Sequence, residues 1–258
     1  MWRPLEPLPA VARIAFGLAF FAAFLALWSV ATLGGFVSKL FLADPLTMLA
    51  EGGNLLFKQG FIVDIGLTVW RVFGGFVIAA LVAVPLGILM GAYKPIEAAL
   101  EPFVGFARYL PASAFIPLLI LWAGLGEMPK LLLIFLGSVF QIILMVAGLV
   151  GSTRRDLVEA ASTLGATDRG IVLRVLLPSS APGIAEILRL VLGWAWTYVI
   201  VAELVGSTAG IGHMITNSAA LLNTGQIIFG ILIIGLIGMV SDAAFKALNR
   251  FLFPWAVL

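Results

Sequence analysis

Between Leu131 and Thr153 the chain carries no charged side chain, and the same is true from Ile14 to Ser38 and from Val72 to Tyr93. Each run is as long as the ~20 residues that an α-helix needs to cross the hydrocarbon layer of a bilayer. Lipid selects for such runs, because one charge at the bilayer centre costs about 2.5–3.5 kcal/mol even on mild scales. Composition agrees: 62% of the residues are apolar and 11% charged, against about 25% charged in an ordinary soluble domain. The 28 Gly and 13 Pro suit helices packed in a membrane, where both residues are better tolerated than in water. These features exclude an ordinary soluble enzyme and predict an all-α polytopic membrane protein, with residues 1–258 forming a single transmembrane domain.

About six spans are expected. They run from Ile14 to Ser38, Val72 to Tyr93 with a kink at Pro85, Tyr109 to Gly126, Leu131 to Thr153, Pro182 to Val205 and Gln226 to Phe245. Residues 39–64 hold Asp44-Pro45, Glu51 and Lys58 and read as a short interfacial helix on the periplasmic side. The opening MWRPLEPLPAVAR lacks a short apolar core followed by a small-residue cleavage site, so the first apolar run is expected to be a retained span. No internal repeat is evident, which argues against an inverted-repeat transporter.

Lysine and arginine set the orientation. With the N-terminus inside, the inner segments hold Arg3, Arg13, Lys94, Arg154, Arg155, Arg169, Arg174, Lys246 and Arg250, whereas the outer ones hold only Lys39, Lys58 and Lys130. Both termini and the loop at about 154–178 are therefore expected in the cytoplasm. The absence of Cys and the presence of a single His, His213, exclude a disulfide framework, a cysteine nucleophile and a multi-histidine metal site. Nothing in the chain points to a catalytic group, a metal or a cofactor of its own, or to nucleic acid.

The cytoplasmic loop reads RRDLVEAASTLGATDRGIVLRVLLPSSAPGI. Asp156 followed by Glu159 has the spacing of a capping box, and Leu157, Ala160, Ala161 and Leu164 share one helical face. Gly165 suits the position just past a helix end. A second short helix can begin near Thr167-Asp168, and Pro178 and Pro182 are expected to break the chain before the fifth span. The result is a short helix across the membrane face, presenting a small apolar surface that fits a partner's groove.

The spacing Glu159-Ala160-Ala161, Gly165, Val175, Leu177-Pro178 resembles the EAA loop of bacterial ABC importer permeases, with Val175 where isoleucine is commoner. TVWRVFGGFVIAALVAVPLGILMG, PASAFIPLLILWAGLGEMPKLLLIFLGSVFQIIL and VIVAELVGSTAGIGHMI resemble the nitrate/sulfonate/taurine (and bicarbonate) subfamily, so the likeness covers about residues 60 to 255. The resemblance implies a type I importer transmembrane domain in the bacterial inner membrane. It further implies a second permease copy, two cytoplasmic ATP-binding cassette subunits and a periplasmic solute-binding protein. Glu159, Ala160, Ala161, Leu164, Gly165, Leu177 and Pro178 would couple to the ATPase. ATP and Mg would be bound by that partner, since no G-x-x-x-x-G-K-[ST] loop occurs in this chain.

Ser113, Ser138, Gln141 and Arg189 are the candidate pathway residues; hydrogen bonding between helices is the competing role for the three neutral ones. Glu186, three residues from Arg189 on the same face, can neutralise it. Glu203 is expected to cap the Gly206–Gly212 loop or to pair with Arg71 or Lys130, and Arg108 to snorkel to headgroups at the cytoplasmic start of the third span. The expected function is uptake of a small anionic or zwitterionic solute of sulfonate/taurine, nitrate or bicarbonate type. A stand-alone secondary transporter or channel is the alternative, and it would need intramembrane acid–base pairs or a filter motif that do not stand out.

Overall fold

The computed structural model describes residues 8–256, and every regular element among them is helical. Arg3, counted above on the inner side, lies outside the described residues. Five helices are long and apolar enough to cross a membrane: α1 (Ala10–Leu33), α3 (Phe61–Ala92), α6 (Met128–Gly151), a run from Asp168 to Leu204, and α11 (Thr224–Leu252). Two further stretches, α4 (Lys94–Ala107) and Ala112–Ala123, whose main part is α5 (Ile116–Ala123), pass the same test only as a pair and meet at an 82° bend, the geometry of a broken span or a re-entrant loop. The remaining helices are α2 (Pro45–Lys58), α7 (Arg155–Thr163), α8 (Asp168–Ile171) and α10 (Ile211–Ala220), and α9 (Leu177–Leu204) forms most of the long run.

Three boundaries differ from expectation for stated reasons. Helix α3 begins well before Val72, because Asp64 and Arg71 find partners inside the protein and need not stay in water. The expected third crossing is paired with α4, so Arg108 sits at the bend between them and not at a cytoplasmic start. Pro178 and Pro182 do not break the chain before the fifth span, since the helix is continuous from Asp168 to Leu204. A π-helical turn at Val172–Leu176 precedes Pro178. The widened turn accommodates a proline ring that would otherwise clash with the carbonyl four residues earlier.

Two compact units make up the chain, one reaching to Phe61 and including Ile215–Leu232, the other comprising Ile62–Met214 and Ile233–Leu258. In the first, Asp44 caps α2 by accepting from the amides of Leu46 and Thr47, and the Thr47 amide and hydroxyl, with Lys39 beside them, hold its carboxyl well below the usual range. Glu51 of α2 accepts from Asn223 and Gln226 at 3.1 and 3.2 Å. Gly52 lies under the Phe229 ring so closely that a Cβ would fall 2.2 Å from it. The exposed apolar faces of this unit, along α1 above all, are those of a helix facing lipid.

The second unit is built on α6 and α9, which supply Ile134, Ile142, Val146, Val191, Ala195 and Val199 to its core. Helix α3 joins them through glycines. A Cβ at Gly75 would lie 2.7 Å from that of Ile134, and one at Gly91 would lie 2.5 Å from the Ala147 carbonyl oxygen. Such close approach is how helices associate where lipid removes the hydrophobic drive between them. Gly91→Val is therefore expected to cost about 1–3 kcal/mol through overpacking and to lower the thermal midpoint of the purified protein. Gly66→Ala, which meets nothing within 4 Å, serves as the control and should leave it unchanged or raised.

Candidate coupling loop and transmembrane cavity

Asp64, Thr68 and Arg71 recur along one face of α3, and all three reach across to the segment that follows α9. The buried Arg71 guanidinium donates to Glu203 at 2.7 Å, to the Ala209 carbonyl at 2.7 Å, and through Nε and Nη2 to both oxygens of Glu127 at 2.6 and 2.7 Å. Lys130 donates to Glu127 at 2.9 Å. The first amides of α10 are bound by side chains from other helices: Gly210 donates to Asp64, Ile211 to Thr68 and Gly212 to Glu203. Helix N-termini leave such donors without intrahelical partners, and carboxylates complement their partial positive charge. Gly210 has φ +117°, and a Cβ there would lie 2.5 Å from Arg71, so only glycine closes this turn. The expected pairing of Glu203 with Arg71, and its capping of the loop, are both present.

A cavity of about 360 Å³ opens beside the bend after α4, lined among others by Arg108, Ser113, Gln141, Thr197 and Tyr198. The Tyr198 ring lies against Gly137, where a Cβ would come within 2.6 Å of it. Ser113 and Gln141 thus share one cavity. Ser138 does not line it: it is fully buried, and its hydroxyl has no partner among the described residues. Arg189 is held elsewhere, donating to Glu186 and to Asp242 of α11. Trp196 turns away from the cavity to pack edge-on against Phe73 at 6.3 Å.

The loop at about 154–178 folds as α7, a turn and α8. No side chain caps the start of α7: Asp156 lies inside its first turn instead of at the cap and pairs with Arg154, which lowers the Asp156 carboxyl and raises the arginine. The far end follows expectation closely. Gly165 has φ +80°, its amide donates to the Ser162 carbonyl and that of Ala166 to the Ala161 carbonyl, which is the Schellman arrangement. Thr167 then caps α8 by accepting from Gly170. Leu164 and Leu157 are 88% and 42% exposed, whereas Val158 and Ala161 pack against the core. Ala161 therefore anchors α7 instead of sharing its outward face with Ala160.

Residues 83–255 match the family described as binding-protein-dependent transport system inner membrane component. The chain belongs to it. A protein of Methanocaldococcus jannaschii named as an ABC transporter permease is 38% identical over 190 residues, 73% of this chain and 71% of its own length. The taurine transport system permease protein of Escherichia coli is 32% identical over 236 residues, 88% of this chain and 84% of its own. The fold is similar to a chain of the MetNI methionine ABC transporter, with a TM-score of 0.61 and 20% identity over 72% of this chain and 95% of that one. The protein is thus a multi-pass inner-membrane permease with the type I importer architecture.

Within this permease, α9 joins three places. It follows the cytoplasmic loop without interruption, carries Thr197 and Tyr198 into the cavity, and ends at Glu203 in the ion cluster. The cluster partners Asp64 and Thr68 were not singled out from sequence, although their spacing with Arg71 places them on one helical face. Arg108 and Thr197 had no comparable signal, because their shared cavity depends on the bend after α4.

Glu203→Gln is expected to destabilise the permease by about 1–3 kcal/mol, the cost of a weakened hydrogen bond to a buried charged group, since Arg71 keeps its pairing with Glu127. Changing both Arg71 and Glu203 to Met should recover part of the loss in a thermal-shift measurement. Glu127 is pulled from its ordinary 4.5 down to about 2, first by Arg71, against burial, and then by Lys130. A depressed carboxylate stabilises fully above its unfolded value and loses that contribution as pH falls through the folded one. The difference in thermal midpoint between the native permease and Glu127→Gln should accordingly hold down to about pH 4.5 and shrink towards pH 2.

Proposed function

We propose that this permease is the transmembrane subunit of an ATP-driven importer. A periplasmic binding protein delivers a small anionic or zwitterionic solute, with taurine or another sulfonate first in order and nitrate or bicarbonate as further members of the class. Two copies of the permease form the pathway, both termini face the cytoplasm, and two ATP-binding cassette subunits dock beneath. ATP and Mg belong to those subunits; the permease carries the solute and is not itself the enzyme.

The observation that carries this reading is the continuity of the Asp168–Leu204 helix directly after an exposed coupling helix. Force applied to α7 reaches the cavity wall at Thr197 and Tyr198 along one rigid element. Ala160 and Leu164 on the outward face of α7 enter the ATPase groove, and Glu159 meets a basic group at its rim. Gly165 fixes the turn through its positive φ, and Leu177-Pro178 seat the start of α9. Ser113 and Gln141 offer neutral hydrogen bonds to the passing solute, which favours release as well as entry. Ser138 and Arg189, the other pathway candidates, act from behind the wall, where the Arg189 pairs tie α9 to α11.

Glu159→Arg tests the coupling. Co-purification of the ATP-binding subunit with the permease, and solute uptake in cells, are expected to fall at least tenfold, while the folding stability of the permease stays within about 0.5 kcal/mol of native because Glu159 is exposed. Unchanged assembly and uptake would overturn the coupling role. In nanodiscs with both partners, ATP hydrolysis should rise on addition of one solute from a panel of taurine, alkanesulfonates, nitrate and bicarbonate, and only with the binding protein present.

A further inference from the structure

The arginines of the crossings are not equivalent. Arg71 faces Glu127 and Glu203, and Arg189 faces Glu186 and Asp242. Arg108 pairs with no carboxylate among the described residues. Its Nη2 donates to the Tyr109 hydroxyl at 2.7 Å, and its guanidinium lies 4.6 Å over the same ring. A guanidinium has five N–H donors, and this bond to a neutral phenol occupies one of them.

The position of Arg108 gives that charge significance. The Phe103 ring near the end of α4 packs edge-on against Phe140 at 6.1 Å, and Arg108 lines the same cavity as Gly137 and Gln141. The end of α4 is therefore level with the middle of α6, not with its cytoplasmic end. Residues 108–111 between the two helical stretches are irregular. Irregular backbone at membrane depth is tolerated only where protein covers it or where it lines a water-filled space. The cavity beside it is the space that satisfies this rule.

We propose that Arg108 makes this cavity an anion-binding subsite, taking a small oxyanion headgroup such as a sulfonate. No Asp or Glu lines the cavity, so nothing in its wall cancels the charge. A guanidinium presents two parallel donors that match two oxygens of an oxyanion, and Ser113 and Gln141 supply neutral hydrogen bonds around it. Tyr109 holds the side chain through a single neutral bond, which an anion replaces with charge-assisted ones. One positive charge among neutral partners attracts the solute without trapping it, as a pathway requires.

This inference rests on the importer reading for what the subsite serves, but its test reads the cavity directly. The chain has no cysteine, so single cysteines can be placed at Ser113, at Gln141 and, outside the cavity, at the exposed Ser152 in the full-length protein in nanodiscs. Each is labelled with 2-sulfonatoethyl methanethiosulfonate and, separately, with its cationic 2-(trimethylammonio)ethyl counterpart. The thiolate attacks the reagent sulfur, forms a mixed disulfide and expels methanesulfinate. The ratio of the two rates removes any effect of Arg108 on thiolate reactivity.

Arg108→Gln is expected to lower the anion-to-cation ratio about tenfold at Ser113→Cys and Gln141→Cys, the low end of what a charged cleft does to local ion concentration. Arg108→Lys should keep the ratio close to native, and Ser152→Cys should show no dependence on residue 108. A ratio independent of residue 108 at both cavity positions, in protein that stays monodisperse, overturns the subsite. So does failure of the anionic reagent to reach either cavity cysteine. Charge-selective labelling without capture of an ATP-binding subunit would leave the subsite standing and count against the importer reading alone.

Discussion

The Arg71–Glu203 ion pair fixes the outer end of α9, and the geometry of the rest of this unit follows from where that helix sits. In hydrocarbon neither partner could be buried alone, since an unpaired charge costs several kcal/mol. The pair is retained because it is surrounded by further bonds: Thr68 donates to Glu203, Gly212 donates to the same carboxylate, and Glu127 takes the other edge of the guanidinium. The cluster thereby ties α3, the start of α6, the end of α9 and the start of α10 together. A buried ion pair adds little net stability compared with apolar packing; its effect here is positional, since it holds four chain segments in one register.

Below that fixed end, α9 runs uninterrupted to the cytoplasmic loop. Its middle is packed on α6 through small and branched side chains, and its cytoplasmic half is held to α11 through Arg189 and Asp242. Two ionic attachments at different depths, with the cavity wall between them, hold α9 as one continuous element. The π turn at Val172–Leu176 is the one irregularity along this run. It lies several turns before Arg189, between the short helices of the loop and the first of these attachments.

Much of this was legible in the chain. The uncharged runs located the crossings, because lipid imposes a length and forbids charge. The EAA spacing located the coupling loop, because Gly165 must adopt a positive φ to end α7 and Thr167 must follow to start α8. Even the pairing of Glu186 with Arg189 followed from helical spacing. Helix boundaries were less accessible where charge is neutralised from a distance. Asp64 and Arg71 read as the end of apolar sequence, yet α3 extends past both because their partners lie on the segments around Glu127, Glu203 and Gly210. The start of α10 is hidden in the sequence for the same reason, since the side chains that bind its first amides lie on other helices.

The sequence by itself determined that this chain lives in a membrane and belongs among the importer permeases, and it marked out the loop at 154–178 as a short amphipathic helix followed by a glycine turn. These properties depend on local composition and short spacings, which a linear chain states directly. Tertiary structure alone decided that Arg108 lines one cavity with Gln141, that Ser138 is walled off from it, and that Arg189 is tied to Asp242. Each depends on an angle between helices, above all the 82° bend after α4. That angle is set by packing of α4 and α5 against α6, and residues distant in the chain determine it together.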